Sequence, residues 1–206
     1  MPTARFLRIV SFQPGGSEAP LDGVLREAIV PRLLARDEIV DAWIGRHGLP
    51  SDRTRVLAST WSEEPGDAAA DVAALHDPDL AEHPPTIDTI EQLELAVKAR
   101  FDRSEPARVL RVFHGVVRPG ELDAYVTEAG RGMAADAEVN EGLIALMLGT
   151  QGGDSFVTVS AWTGWAAIEE ATGGNTKRPF ATRNSARLAS FRVAHFEILP
   201  EAPTRR

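Results

Sequence analysis

Two tryptophans, Trp61 and Trp162, close strand-like segments in the two halves of the chain. Because side chains alternate across a strand, every second residue before each tryptophan shares its sheet face. In the second half this face combines aromatic, hydroxyl and indole groups, a mixture suited to a flat aromatic ligand: Phe156, Thr158, Ser160 and Trp162. The sequence therefore predicts a substrate-binding cavity between sheet and helices, with Trp61 as a remnant of a second one. The alternative is that both tryptophans fill the core.

Two arginines, Arg8 and Arg111, occupy equivalent central positions of apolar strand-like runs. An unpaired charge in the middle of a buried strand is costly. We therefore interpret Arg111 as a catalytic group that holds a phenolate or carboxylate and stabilises negative charge developing on a substrate. Exposure at a sheet edge, or an internal ion pair with Asp41 or Glu141, is the alternative interpretation.

Two strand histidines, His114 and His195, are candidate proton acceptors, because imidazole titrates near neutral pH. His114 lies between Val112 and Val116 on one strand face, close in sequence to Arg111. We therefore predict His114 and Arg111 as the catalytic pair. A hydrogen-bonded structural role is the alternative for either histidine.

No metal or organic cofactor is predicted. Residues 76–83 contain two histidines and three carboxylates, but their spacing matches no ligand pattern. The glycine-rich segment 173–178 lacks the strand-loop-helix context of a nucleotide site, and we interpret it as a connection that can serve as a lid. The chain has no dinucleotide-binding glycine fingerprint, so flavin and nicotinamide have no support.

Composition excludes several classes of protein. The formal net charge of −8 disfavours nucleic-acid and anionic membrane partners. The absence of cysteine excludes disulfides and thiolate metal sites. The sequence shows neither a signal-like start nor an apolar run long enough to cross a bilayer, so a cytoplasmic location is expected.

Hydrophobic periodicity predicts the elements of each half. Apolar positions 21, 24, 25, 28, 29 and 33 follow a helical period, and Pro31 is expected to kink that helix. A short helix is predicted over 67–75, and the last strand of the first half is predicted over 93–101. The second half repeats this order and ends in a strand over 191–199.

The correspondences between the halves keep an offset of about a hundred residues, which indicates a duplicated small domain rather than a solenoid repeat. Pro14-Gly15 and Pro119-Gly120, for example, follow the first strand of each half. We predict an α+β protein with domains 1–104 and 105–206, each a ferredoxin-like βαββαβ repeat. The two repeats are expected to pack sheet to sheet as an intrachain pseudo-dimer.

The second half carries motifs similar to those of a known family. These are the Pro119-Gly120 turn between strand and helix, the Glu-Val-Asn-Glu-Gly-Leu run from Glu138 to Leu143, and the strand end Val-Ser-Ala-Trp at Trp162 followed by the helix Trp165–Ala171. In these respects the chain resembles a tandem member of the dimeric α/β-barrel superfamily, nearest to antibiotic biosynthesis monooxygenase domains. The resemblance implies a cofactor-independent monooxygenase that acts on an aromatic or polyketide-type small molecule.

The resemblance leaves two other functions open. The family includes heme-degrading relatives, which would require an asparagine in the first strand and a histidine after the second helix. This chain has Phe113-His114 and Val10-Ser11 in the first-strand regions, and only His76 follows a helix suitably. Heme is therefore the alternative cofactor. A non-catalytic ligand-binding or stress-responsive barrel is the other function, and a homodimer of the tandem chain stays open.

Overall fold

A computed structural model describes residues 3–67, 80–179 and 183–199, without the side chains of residues 133–139. These residues form a mixed α+β fold with a large antiparallel sheet and few helices. Along the chain the elements are β1 (Phe6–Gln13), α1 (Glu18–Val24), a π-helical turn (Leu25–Ile29), α2 (Val30–Leu34), β2 (Ile39–His47), β3 (Arg55–Trp61), β4 (Thr86–Arg100), β5 (Val109–Val117), α3 (Leu122–Val139), β6 (Leu143–Thr150), β7 (Ser155–Trp162), α4 (Trp165–Ala171), a 3₁₀ turn (Arg183–Arg187) and β8 (Leu188–Ile198).

The chain divides into two compact units. Unit 1 comprises Met1–Leu93 and Phe196–Arg206, and unit 2 comprises Glu94–His195. The predicted boundary near residue 104 lies outside any strand, whereas the observed boundaries fall inside β4 and β8. The predicted packing of one sheet against the other stays a prediction, as does the helix predicted over 67–75, which lies outside the described residues except for Asp67.

In unit 1 the strand order is β4-β1-β3-β2-β8. β1 pairs antiparallel with β3, and Arg8 lies opposite Ser59. The predicted apolar helical residues pack on these strands, with Leu21, Leu25 and Ile29 fully buried. Pro31 lies in the first turn of α2, immediately after the π-helical turn Leu25–Ile29. The helix therefore changes its hydrogen-bonding pattern next to Pro31, and the kink expected there stays a prediction.

In unit 2 the strand order is β8-β5-β7-β6-β4. β5 pairs antiparallel with β7, and Arg111 lies opposite Ser160. Helices α3 and α4 cover one side of this sheet, hereafter the helix-facing side, through two apolar clusters. The first contains Val109 and Trp162, and the second contains Phe113 and Phe156.

The two units have the same strand order and the same register between their first and third strands. Trp61 lies opposite Phe6 as Trp162 lies opposite Val109. In the described part of the chain, no helix is long and apolar enough to cross a membrane.

Candidate functional site

The helix-facing side of unit 2 carries the side chains that could do chemistry. Arg111 lies on β5 between Val109 of the first apolar cluster and Phe113 of the second. Strand alternation therefore places its side chain beneath the helices. The predicted aromatic and hydroxyl face of β7 lies on the same side, because Trp162 and Phe156 belong to these two clusters.

The Arg111 side chain is buried, with 2% of the residue exposed. Its Nη2 donates a hydrogen bond of 2.6 Å to the carbonyl oxygen of Arg178. Its Cζ lies 5.4 Å from the ring centroid of Phe113. Burial lowers the pKa of Arg111 to about 10, and the nearby Tyr125 opposes that shift. At neutral pH the guanidinium is still charged, so an anion bound beside it would offset the cost of burial.

Tyr125 on α3 faces the same region. Its ring centroid lies 4.3 Å from that of Phe156. Burial raises the pKa of Tyr125 to about 12, although the positive charge of Arg111 acts in the opposite direction. The phenol therefore stays protonated at neutral pH and can donate a hydrogen bond to an anion.

The hydroxyl and indole groups of β7 are linked to one another. Trp162 is fully buried, and its Nε1 donates a hydrogen bond of 2.8 Å to Ser160 Oγ. Thr158 is only half-buried and lies opposite Phe113. Trp162 thus occupies a well-packed position, as the core interpretation expects, while Thr158 is the more accessible group of this face.

Unit 1 repeats the serine and tryptophan but fills their surroundings differently. Trp61 Nε1 donates a hydrogen bond of 2.9 Å to Ser59 Oγ. The Cζ atoms of Arg8 and Arg36 lie 5.1 Å and 4.8 Å from the Trp61 ring. Leu57 stands where unit 2 has Thr158, in a mostly aliphatic cluster that also contains Phe12 and Trp61. This side of unit 1 therefore suits a packed core better than a polar ligand.

Arg8 donates hydrogen bonds to the Gly66 carbonyl oxygen and, at 3.0 Å, to Gln92 Oε1. Arg55, the counterpart of Phe156, forms ion pairs of 2.5 Å with Glu18 and with Asp22. Burial is the largest single influence and lowers the pKa of Arg55, but the hydrogen bonds and charges of Asp22 and Glu18 together raise it above its ordinary value. Arg55 is thus a buried arginine that unit 1 neutralises with acids.

The structure separates the two predicted catalytic residues. His114 follows Phe113 on β5, so alternation places its side chain on the opposite side of the sheet from Arg111. His195 on β8 is 8% exposed, and its ring centroid lies 5.1 Å from that of Trp165 at the start of α4. Of the two histidines of unit 2, His195 is therefore the one on the helix-facing side.

Three residues that lie near Arg111 or Phe113 in the structure are not predicted from the sequence. Tyr125 is the one tyrosine of the chain, but no local motif marks it as part of a site. Arg178 acts through its backbone carbonyl, for which side-chain type gives no signal. Phe191 on β8 stacks on Phe113, a contact between residues distant in sequence.

The structure describes the loop 173–178 completely but the loop 76–83 only in part. The segment 173–178 is tied to Arg111 through Arg178, and Gly173 and Gly174 adopt positive φ values of 65° and 82°. Of the loop 76–83, only residues 80–83 are described, and Leu80 packs into the core of unit 1. Within the described part of the chain, no group of three or more metal-ligating side chains comes together.

No protein-family model matches this chain, and no curated protein matches it. Three solved structures are similar over nearly their full length. A "putative monooxygenase" from Fusobacterium nucleatum subsp. nucleatum has a TM-score of 0.68 and 9% identity, covering 100% of this chain and 99% of that one. An anthrone oxidase-like protein has a TM-score of 0.54 and 15% identity, covering 98% and 93%. A chlorite dismutase variant from Candidatus Nitrospira defluvii has a TM-score of 0.60 and 11% identity, covering 98% and 93%. The likeness is one of fold.

Proposed function

We propose that unit 2 binds a small aromatic molecule with an ionised hydroxyl group and oxidises it with dioxygen, without a metal or organic cofactor. The observation that carries this proposal is the buried Arg111 guanidinium beside the Tyr125 phenol and the Phe113 ring. A cation and a neutral phenol donor next to aromatic rings match a planar phenolate in both charge and shape. The monooxygenase and anthrone oxidase-like names of two structural neighbours agree with this chemistry.

The proposed reaction needs no external reductant. A base removes a proton from the substrate, and the resulting anion transfers electrons to dioxygen. For an anthrone-like methylene, one oxygen atom replaces the two hydrogens as a carbonyl, and the other leaves as water. Dioxygen thereby accepts four electrons from the substrate. The protein has to supply desolvation, a base and stabilisation of the anion.

Named residues can serve these roles. Arg111 and the Tyr125 hydroxyl would bind the substrate oxygen, and Thr158 would add a polar contact from β7. Phe113 and Phe156 would form the aromatic wall, backed by Trp162 and its partner Ser160. We assign proton acceptance to His195, because it lies on the helix-facing side. His114 lies on the opposite side of the sheet from Arg111, so it could act only on a molecule bound at that other side.

We further propose that the two units arose by duplication of one ferredoxin-like domain of the antibiotic biosynthesis monooxygenase type. The shared strand order and the equivalent Arg8–Ser59 and Arg111–Ser160 pairings support this origin. Unit 1 would then be the copy in which aliphatic packing replaced the site, since Leu57 and Arg55 stand where unit 2 has Thr158 and Phe156.

A histidine-ligated heme does not fit the described residues of unit 2. His114 lies away from the helices, and the His195 ring packs 5.1 Å from the Trp165 ring. On the helix-facing side, the Phe156 ring contacts both the Phe113 ring and the Tyr125 ring. The other candidate ligand named from the sequence, His76, lies outside the described residues. We therefore derive no step through heme.

Oxygen uptake by the purified protein tests the proposal. Uptake with anthrone-like or naphthol-like compounds is expected, and Arg111→Met should reduce turnover on the order of a hundredfold. Arg118→Met is the matched control, because Arg118 is an exposed arginine of unit 2 that also donates to a backbone carbonyl. No uptake with binding retained would favour a non-catalytic ligand-binding protein. An intense Soret absorption band in the purified protein would instead support heme.

A further inference from the structure

Phe191 on β8 is a large aromatic side chain held at the surface. It is 45% exposed, although its ring stacks on the buried Phe113 ring with a centroid distance of 5.5 Å and an interplanar angle of 13°. The neighbouring residues Ala189, Ser190 and Arg192 are also exposed. One face of an ordered phenyl ring is thus engaged inside unit 2, while a substantial part of its surface is available to a ligand.

Phe191 is the outer member of a continuous set of aromatic contacts. Phe113 also stacks on Phe156 at 5.9 Å, and Phe156 contacts Tyr125 at 4.3 Å. The rings become less exposed inward, from 45% at Phe191 to 4% at Phe113 and 1% at Phe156. A row of aromatic rings therefore leads from the surface of unit 2 to the phenol of Tyr125.

The same row passes the buried guanidinium. Arg111 Cζ lies 5.4 Å from the Phe113 centroid, and the Phe191 centroid lies 5.5 Å from the same centroid. Because Phe113 contacts both groups, a ligand whose anionic oxygen meets Arg111 would reach Phe191 by extending past the Phe113 ring. A single phenol ring would contact Phe113 but not Phe191. A second or third fused ring would extend far enough to contact Phe191.

We propose that Phe191 is a specificity-determining residue that makes unit 2 selective for fused-ring aromatic anions over single-ring phenols. This inference rests on the proposed function and names its substrate class. Offset stacking on Phe191 adds a contact only for the distal ring of a fused system. A phenol and a naphthol of the same charge then differ in affinity by this contact together with the apolar area that the extra ring buries.

Isothermal titration calorimetry with phenol, 2-naphthol and anthrone measures this selectivity. The unaltered protein should bind the fused-ring compounds more tightly than phenol. Phe191→Ala should weaken binding of 2-naphthol and anthrone about two- to tenfold and leave phenol affinity unchanged. Phe191→Trp should retain the fused-ring preference, because it keeps an aromatic surface at this position.

Val116→Ala is the matched control, because Val116 is an apolar residue of unit 2 that is 38% exposed and lies on the face of β5 opposite Phe113. It should bind all three compounds as the unaltered protein does. Equal losses for phenol and naphthol in Phe191→Ala, or no loss at all, would overturn the role of Phe191 while leaving the proposed function standing. Absence of binding by the unaltered protein would overturn both. A thermal melt of each variant separates loss of contact from loss of folding.

Discussion

Trp162 Nε1 donates a hydrogen bond of 2.8 Å to Ser160 Oγ, and both residues are almost completely buried. The indole N–H has one proton to donate, so Ser160 satisfies it fully. Trp162 therefore backs the candidate site as a fixed, apolar wall and is not available to hydrogen-bond a ligand. The hydrogen bond between Trp162 and Ser160 therefore contributes first to the stability of the fold.

Ser160→Ala should destabilise the protein, because it leaves the indole N–H buried without an acceptor. The expected loss in the free energy of unfolding is about 1–3 kcal/mol. Urea denaturation measures it. Ser155→Ala, at the exposed start of the same strand, should change the free energy by less than about 0.5 kcal/mol. Equal stability of the two variants would show that the hydrogen bond contributes nothing.

The Tyr125 phenol should titrate at about pH 12, because burial opposes its ionisation. Tyr125 is the one tyrosine in the sequence, so tyrosinate absorbance in the ultraviolet reports it without overlap from other tyrosines. At that pH a guanidinium with a pKa of about 10 is mostly neutral, so Arg111→Met should change the Tyr125 pKa little.

Arg131→Met on the exposed face of α3 should likewise leave the Tyr125 pKa unchanged. Circular dichroism over the same pH range confirms that the fold persists. Titration near pH 10, the value for a solvated phenol, in a folded protein would contradict the buried position of Tyr125.

His195→Gln should slow oxygen uptake about a hundred- to ten-thousandfold if His195 accepts the substrate proton. In the unaltered protein the rate should fall as the pH is lowered, because a protonated imidazole cannot act as a base. His114→Gln should keep both the rate and this pH profile, since His114 lies on the other side of the sheet from Arg111. The reverse pattern would return the catalytic role to His114.

Arg55→Met should remove a buried ion-pair cluster and lower the free energy of unfolding by about 1–3 kcal/mol at neutral pH. Arg55 holds the pKa of Glu18 below its ordinary value of 4.5, chiefly through a hydrogen bond. Because the pKa of Glu18 is lower in the folded than in the unfolded protein, its carboxylate stabilises the fold at pH values above the unfolded-state pKa. This stabilisation is lost as the pH falls through the folded-state pKa.

The difference in stability between the unaltered protein and Arg55→Met should therefore shrink below about pH 4.5. Arg53→Met tests whether the burial of Arg55 is decisive, because Arg53 also contacts Glu18 but has a side chain that is 45% exposed. It should cost less than about 1 kcal/mol. A stability difference for Arg55→Met that stays constant through the acid range would contradict the role of Glu18.

Local periodicity was enough to predict much of the site. The shared face of Phe156, Thr158, Ser160 and Trp162 follows from strand alternation, which does not depend on distant residues. Strand ends were harder to predict. β4 begins at Thr86, whereas the sequence predicts a start at residue 93. The first residues of β4 escape prediction because they are mostly exposed and show no alternation of apolar and polar side chains.

The catalytic pairing of Arg111 with His114 stays a prediction, and strand alternation does not favour it. Closeness in sequence favoured joining Arg111 with His114, but three positions apart on a strand means opposite faces. Tyr125, Arg178 and Phe191 approach Arg111 or Phe113 only through the tertiary fold. Their contributions depend on burial and on contacts between residues far apart in sequence, which residue type alone does not encode.

The preference of the protein for an ionised over a neutral ligand tests the central claim most directly. The probe is a nitronaphthol acidic enough to ionise near neutral pH, and its affinity is measured by calorimetry on both sides of its own ionisation. The unaltered protein should bind the anion at least about tenfold more tightly than the neutral form, and Arg111→Met should abolish this preference. Equal affinity for both forms in the unaltered protein would contradict an anion site at Arg111.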